Sequence, residues 1–274
     1  FDKQLITSIP IPENLILVSR HDGDLGRSIV EIRDLNTFEV LHSYIPDIEK
    51  IYEKITLFNK KLKNLKREHG INRYFMWHPA ITTKGELIFK SVGPLVKIDL
   101  DSKIIWVNDE SSYRHSTEID DEGNIYVPSL YRPYSKIIDE YVGLENQNEE
   151  YNFEDDAINI LDENGKTIFS KSVTVILIEN GYINRIFSQQ SNKSDPIHIN
   201  DIQPVLKDTP YFKKGDLFLS LRNLSMIVLY RPSTNKIIKI IEGEFYNQHD
   251  VDILDDKRIS IYNNNAFLNF RNRR

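Results

Sequence analysis

One hairpin pattern returns along this chain and limits what it can fold into. A β-rich run, a short polar turn and a second β-rich run read SIVEIRDLNTFEVLHS at residues 28–43 and LVKIDLDSKIIWV at 95–107. The same order returns as AINILDENGKTIF at 157–169 and MIVLYRPSTNKIIKII at 226–241. The turns fall on Asn36-Thr37, Asp101-Ser102, Asn164-Gly165 and Ser233-Thr234-Asn235. Apolar and polar residues alternate on either side, the period of a half-buried antiparallel pair.

A second element precedes most of these hairpins. His78-Pro-Ala-Ile runs into Gly85-Glu-Leu-Ile-Phe, and His115-Ser-Thr-Glu-Ile into Gly123-Asn-Ile-Tyr-Val. His198-Ile-Asn-Asp-Ile comes before an insertion and Gly215-Asp-Leu-Phe-Leu-Ser, and His249-Asp-Val-Asp-Ile before Lys257-Arg-Ile-Ser-Ile. A histidine, a short strand, a turn, a second strand and the outer hairpin make one unit of four strands. Repeats of about 40–50 residues with four strands each are the signature of a β-propeller. The histidines are spaced by 37, 83 and 51 residues, so the repeat is irregular. Four units are countable, plus a fifth that stops near Phe270, and a strand at residues 3–9 would complete it and close the ring. The expectation is an all-β chain, one propeller domain over residues 1–274.

Two insertions interrupt it. Residues 47–70 carry apolar side chains at 48, 51, 55, 58, 62 and 65, a helical period with a basic outer face. Asp47 is placed to cap this helical insertion and Gly70 to end it. Residues 135–155 are rich in Glu, Asn and Asp and read as a solvated acidic loop. Residues 172–188, SVTVILIENGYINRIFS, combine β-branched residues with a helical period, and helix and strand both stay open there.

Composition narrows the chemistry. Cysteine is absent, which removes disulfides, zinc–thiolate sites, iron–sulfur clusters and thiol nucleophiles. Lys plus Arg is 35 against 41 for Asp plus Glu, a net charge of −6 with no long basic run, which argues against nucleic acid as a partner. No apolar stretch approaches the length of a membrane span. The chain begins at Phe1, which leaves room for a leader or membrane anchor ahead of it.

The innermost strand of a propeller blade runs along the central axis, with its first residues at one mouth of the channel. His78, His115, His198 and His249 all occupy that place in the repeat, so they are expected to converge on an axial pocket. Arg222 stands at the end of the apolar strand starting at Leu217, where an unpaired guanidinium is costly and its planar donor fork suits a tetrahedral oxyanion. A metal would want His with carboxylates, and Asp201 and Asp250 are near, yet Arg222 would repel it. An anion site with one neutral imidazole free to attack fits better than a metal site. His21, His42 and His69 fall in a turn, a hairpin and a loop and read as surface residues.

At these residues the chain resembles the arylsulfate sulfotransferases, bacterial PAPS-independent enzymes on a six-bladed propeller. The matching segments are His115-Ser-Thr-Glu-Ile with Asp-Glu-Gly-Asn-Ile, His198-Ile-Asn200-Asp-Ile, Gly215-Asp-Leu-Phe-Leu-Ser-Leu-Arg222-Asn-Leu-Ser and Gln248-His249-Asp250, within residues 74–265. The resemblance implies six blades, of which five are countable, so the expectation is a six-bladed ring with one blade unseen, a ring shorter by a blade, or a ring truncated at the C-terminus. It implies that His249 takes a sulfuryl group from an aryl sulfate ester and passes it to a phenol through a sulfohistidine, without cofactor or metal. His115, His198 and Arg222 would hold the sulfuryl oxygens and Asn200 would help orient them. Trp77, Tyr113, Tyr131 and Tyr246, with His78, are the candidates to contact the aryl ring. A periplasmic or other extracytoplasmic location follows from the same resemblance, and a homodimer is left open. Two further readings compete: a non-catalytic propeller that binds an anionic or aromatic ligand, and an anchored structural or sensor ectodomain.

Overall fold

Aspartates head most of the turns, and they explain where the strands stop. Asp34 Oδ1 accepts the backbone N–H of Asn36 at 2.7 Å and of Thr37 at 2.9 Å. Asp120 takes Glu122 and Asn124 at 2.9 and 2.8 Å, and Asp162 takes Asn164 and Lys166 at 3.0 and 2.9 Å. Asp22 and Asp255 do the same. A carboxylate that bonds the backbone two to four residues on offers it an alternative to the strand ladder, and the chain reverses there.

A computed structural model describes residues 14–55, 74–91, 93–131, 135–142, 153–187 and 194–265. The described residues are mostly antiparallel strands with a few short helices, an all-β chain. They divide into two compact units, residues 1–125 with 161–166, and residues 126–160 with 167–274. The strand proposed at residues 3–9, the end of the fifth blade near Phe270, and His69 and Gly70 lie outside the described residues.

In the first unit β1 (Leu15–Asp22), β2 (Arg27–Asp34) and β3 (Val40–Tyr44) form an antiparallel sheet. Helix α1 (Ile48–Glu53) follows, with Asp47 accepting the N–H of Lys50 as its cap. The cap and the start of the helical insertion agree with the sequence, and residues 56–70 of it are not described. β4 (Trp77–Ile81), β5 (Leu87–Lys90), β6 (Gly93–Ile98) and β7 (Ile104–Tyr113) make a four-stranded meander, followed by the short β8 (Glu118–Ile119). Ile48 and Ile51 of α1 join Val30, Tyr44, Tyr74 and Phe89 in one core. The turn at Asp162–Lys166 packs over β6 and β7: Asn108 Nδ2 donates to Gly165 O at 2.8 Å and Trp106 Nε1 to Glu163 O at 3.2 Å. Gly165 has φ of 79°, and a Cβ there would stand 2.7 Å from the Trp106 ring, so this turn needs glycine on two counts.

The second unit holds the sheet of β9 (Ile125–Leu130), β10 (Asp156–Leu161) and β11 (Thr167–Ser172). Helix α2 (Lys136–Val142) occupies part of the stretch read as an acidic loop; residues 143–152 are not described. After β11 the ambiguous segment is helical: Ser172 caps α3 (Val173–Glu179) by accepting Val175 N–H at 3.0 Å, and α4 (Ile183–Ile186) follows. The helical period wins because Val173, Ile176 and Leu177 share one buried face.

Beyond them β12 (Ile199–Pro204), β13 (Leu217–Leu221), β14 (Met226–Arg231) and β15 (Lys236–Ile241) form a four-stranded meander, and β16 (His249–Ile253) pairs with β17 (Ile259–Tyr262). Alternation along β13 sends Leu217, Leu219 and Leu221 into the core that holds α3 and Ile199. Phe218 turns into a second core with Ile227, Leu229 and Val251. Each such side chain contributes roughly 1.5–3 kcal/mol by leaving water. Ser220 shares the Phe218 side of the strand, and that polar position bears on the site below.

Candidate functional site

The starts of the inner strands share an unusual backbone. His78, His115 and His198 adopt left-handed φ of 39°, 60° and 53°, rare for residues with a side chain. In the fourth unit Asp250 takes that conformation, at 45°, and His249 stands one residue earlier. Hydrogen bonds agree with this register: Ile199 N–H, after His198, donates to Asp156 Oδ2 at 3.0 Å, and Val251 N–H, after Asp250, donates to Asp201 Oδ2 at 2.7 Å. A bulge falls between Trp77 and Ala80, between Ile199 and Asp201, and between His249 and Val251. Bulges of this kind re-aim the side chains beside them. His249 is therefore displaced by one position from the other three histidines.

The second unit gathers His198, Arg222 and His249. Arg222 opens a tight turn, Arg222–Leu224, that closes on the stretch before β12: Arg222 N–H donates to His198 O at 3.1 Å and Asn223 N–H to Ile197 O at 2.9 Å. Asn223 then accepts from Arg222 Nη1 at 2.8 Å and donates to Asp195 O at 2.6 Å. Asp195 Oδ2 lies 2.5 Å from His198 Nδ1, a contact that fixes the orientation of the imidazole. Arg222 is half-buried, and among the described residues no carboxylate pairs with it. The contrast is Arg231, held by both oxygens of buried Asp216 at 2.7 and 2.8 Å. A guanidinium bonded only to a neutral amide keeps its charge and most of its donors for something else.

His249 is half-buried, and burial pushes its pKa below the ordinary histidine range. Asp250 opposes the shift, while the cationic charge of Arg222 and of His198 adds to it. The net result favours the neutral imidazole at neutral pH, the form with a lone pair to offer.

Three buried polar side chains support this strand. Asn200, fully buried, donates from Nδ2 to Gln248 O at 2.7 Å. Gln248, also fully buried, donates from Nε2 to Ser220 Oγ at 3.2 Å and Met226 O at 3.1 Å. Asp201 holds Val251 as described. Tyr246 is 45% exposed, its N–H on Asn263 Oδ1 at 3.0 Å, and half-buried Tyr131 donates its N–H to Asp155 O at 2.6 Å.

The first unit has an open cavity of about 570 Å³ lined by Arg20, His21, Phe75, Trp77, His78 and His115, among others. Phe75 and Trp77 are half-exposed, at 49% and 40%. Arg20 is committed to Glu31, at 2.7 and 2.9 Å, and to Asp22 at 2.9 Å, so its charge is compensated where that of Arg222 is not. Tyr113 does not reach the cavity: it is fully buried, with its hydroxyl on Asn108 Oδ1 at 2.9 Å, and has no ring face for a ligand. His42 is not the surface residue its hairpin suggested. It is half-buried edge-on to Tyr44, with ring centroids 4.5 Å apart, and burial lowers its pKa.

Sequence reading missed Asp195, Asn223 and Gln248 as site residues. A carboxylate three residues before a histidine, in Asp195-Pro-Ile-His198, was the available signal for the first. Asn223 and Gln248 stood inside the segments that carry the family resemblance, next to Arg222 and His249, and were given no part of their own.

The family model described as arylsulfotransferase (ASST) matches residues 81–274, which contain His198, Arg222 and His249. The chain belongs to the arylsulfotransferase family. No curated protein matches this arylsulfotransferase-family chain. Among solved structures, a protein of unknown function from Bacteroides caccae aligns with a TM-score of 0.50 and 12% identity, over 91% of this chain and 65% of that one. The β-propeller domain of Cps50 (Swd1) from Myceliophteria thermophila aligns with a TM-score of 0.48 and 11% identity, over 93% and 68%. Identities this low speak to fold alone, and the family member described here spans 65% of the length of the Bacteroides protein.

Proposed function

We propose that this chain transfers a sulfuryl group from an aryl sulfate ester to a phenol, with His249 as the nucleophile. The imidazole nitrogen attacks sulfur, an N–S bond forms, the S–O bond to the aryl oxygen breaks, and the aryl oxide leaves with the electron pair. An acceptor phenol then attacks the sulfohistidine at sulfur: a new S–O bond forms, the N–S bond breaks with its electron pair returning to the imidazole, the phenol proton passes to solvent, and His249 is neutral again. A sulfuryl group in transfer spreads charge over its oxygens, so fixed donors matter more than a general base. Arg222 supplies the cationic donors, and His198, oriented by Asp195, supplies an imidazole donor.

What supports this reading is a guanidinium with no carboxylate partner among the described residues, near an imidazole whose pKa burial lowers, in a chain of the arylsulfotransferase family. The family resemblance gives His115 the same oxygen-holding part, Asn200 an orienting part, and Trp77, His78, Tyr131 and Tyr246 contact with aryl groups. Transfer without nucleotide or metal, on a six-bladed ring outside the cytoplasm, belongs to the same proposal and rests on that resemblance.

Turnover of a chromogenic aryl sulfate with a phenol acceptor tests it. His249→Ala is expected to lower kcat/KM on the order of a thousandfold or more while the protein still binds the ester. Turnover unchanged in that variant overturns the assignment, and binding without turnover in the unaltered protein makes it a ligand-binding propeller.

A further inference from the structure

We infer that Gln248 is a positioning residue that sets the direction of the His249 imidazole, an inference that rests on the reading of His249 as nucleophile. Gln248 lies inside the protein, where an apolar side chain of similar length would pack without any polar demand. Its Nε2 reaches Ser220 Oγ and Met226 O on the neighbouring sheet, while its own backbone oxygen accepts from Asn200. The peptide unit that leads into His249 is thus held from the carbonyl side, and the side chain before it is anchored at its far end.

Two oxygens in this arrangement are buried with no hydrogen-bond partner, Gln248 Oε1 and Asn200 Oδ1. Unsatisfied buried acceptors are destabilising, and a fold that keeps two of them gains something other than stability. Asn247 and Asp250 bracket the Gln248-His249 pair with left-handed φ of 50° and 45°. Strained backbone on both sides persists only where the surroundings hold it, and here the amide clamp holds the middle. Val251 N–H on Asp201 fixes the far end. What the clamp delivers is one imidazole orientation for an attack that tolerates little misplacement.

The test uses the full chain with Gln248→Met, which keeps length and removes the amide, and Ser220→Ala, which removes one of its two acceptors. Gln248→Met is expected to lower kcat by about tenfold to a hundredfold, with the KM for the aryl sulfate within about twofold and the melting temperature retained or raised. Ser220→Ala gives a smaller loss of the same kind. A readout independent of turnover is the carbethoxylation rate of His249 by diethyl pyrocarbonate, located by peptide mapping, which rises in Gln248→Met and, less, in Ser220→Ala. Unchanged kcat and unchanged carbethoxylation in folded variants overturn the inference. Should Gln248→Met not fold, the Ser220→Ala pair of readouts decides it. If the unaltered protein transfers no sulfuryl group, the functional reading fails, and the carbethoxylation comparison still judges the clamp.

Discussion

Arg222 bears on the chemistry of His249. Burial lowers the imidazole pKa and the guanidinium adds to that shift, so the pair favours one fixed cation and one neutral nucleophile over two competing cations. The acid limb of kcat/KM is therefore expected below the ordinary histidine value of 6.5. Arg222→Gln is expected to lower kcat/KM by roughly a hundredfold to a thousandfold and to move that limb to higher pH, because a cation that opposed protonation is gone. A pH–rate profile checks both, and a limb that stays in place contradicts the coupling. Stability follows the same sign. A histidine with a lowered folded pKa leaves stability complete above 6.5, and it is lost as pH falls through the lowered value. The residue types at this site were legible in the sequence, since an imidazole-and-arginine set with no cysteine points to an anion. The one-residue displacement of His249 was not, because a bulge changes register without changing composition.

Elements were read best where local chemistry decides them. The four hairpins, the cap at Asp47 and the Gly-centred turns all appear where alternation and turn residues place them. The strand β1 was missed, because its partly exposed residues show no clean alternation, and with it went the cavity lining at Arg20 and His21. The segment after β11 depended on tertiary burial that no window of sequence contains. Turn glycines give a graded stability test. Gly165→Ala meets both left-handed strain and the Trp106 ring, whereas Gly181→Ala, at φ of 83° with open space around it, meets strain alone. Urea unfolding is expected to show a loss of about 1–2 kcal/mol at Gly181 and at least about 1 kcal/mol more at Gly165. Equal losses would mean that the turn does not press on Trp106.

At the scale of the whole molecule, the repeat of short antiparallel strands was legible and the number of blades was not. The expected closure called on residues 3–9 and the stretch near Phe270, which lie outside the described residues, and pairing across a ring is a long-range property that hairpin patterns do not encode. Membership of the arylsulfotransferase family rests on residues 81–274 taken together, and the chemistry proposed rests on three side chains that the second unit brings together. The account stands on a covalent intermediate. Mixing the protein with a nitrophenyl sulfate ester and no acceptor, then mapping peptides by mass, tests this most directly. The expected result is one sulfuryl group on the peptide containing His249, formed with one equivalent of nitrophenolate and removed when a phenol is added. Nitrophenolate released with no label on His249, or a label on another residue that transfers to phenol, would contradict it.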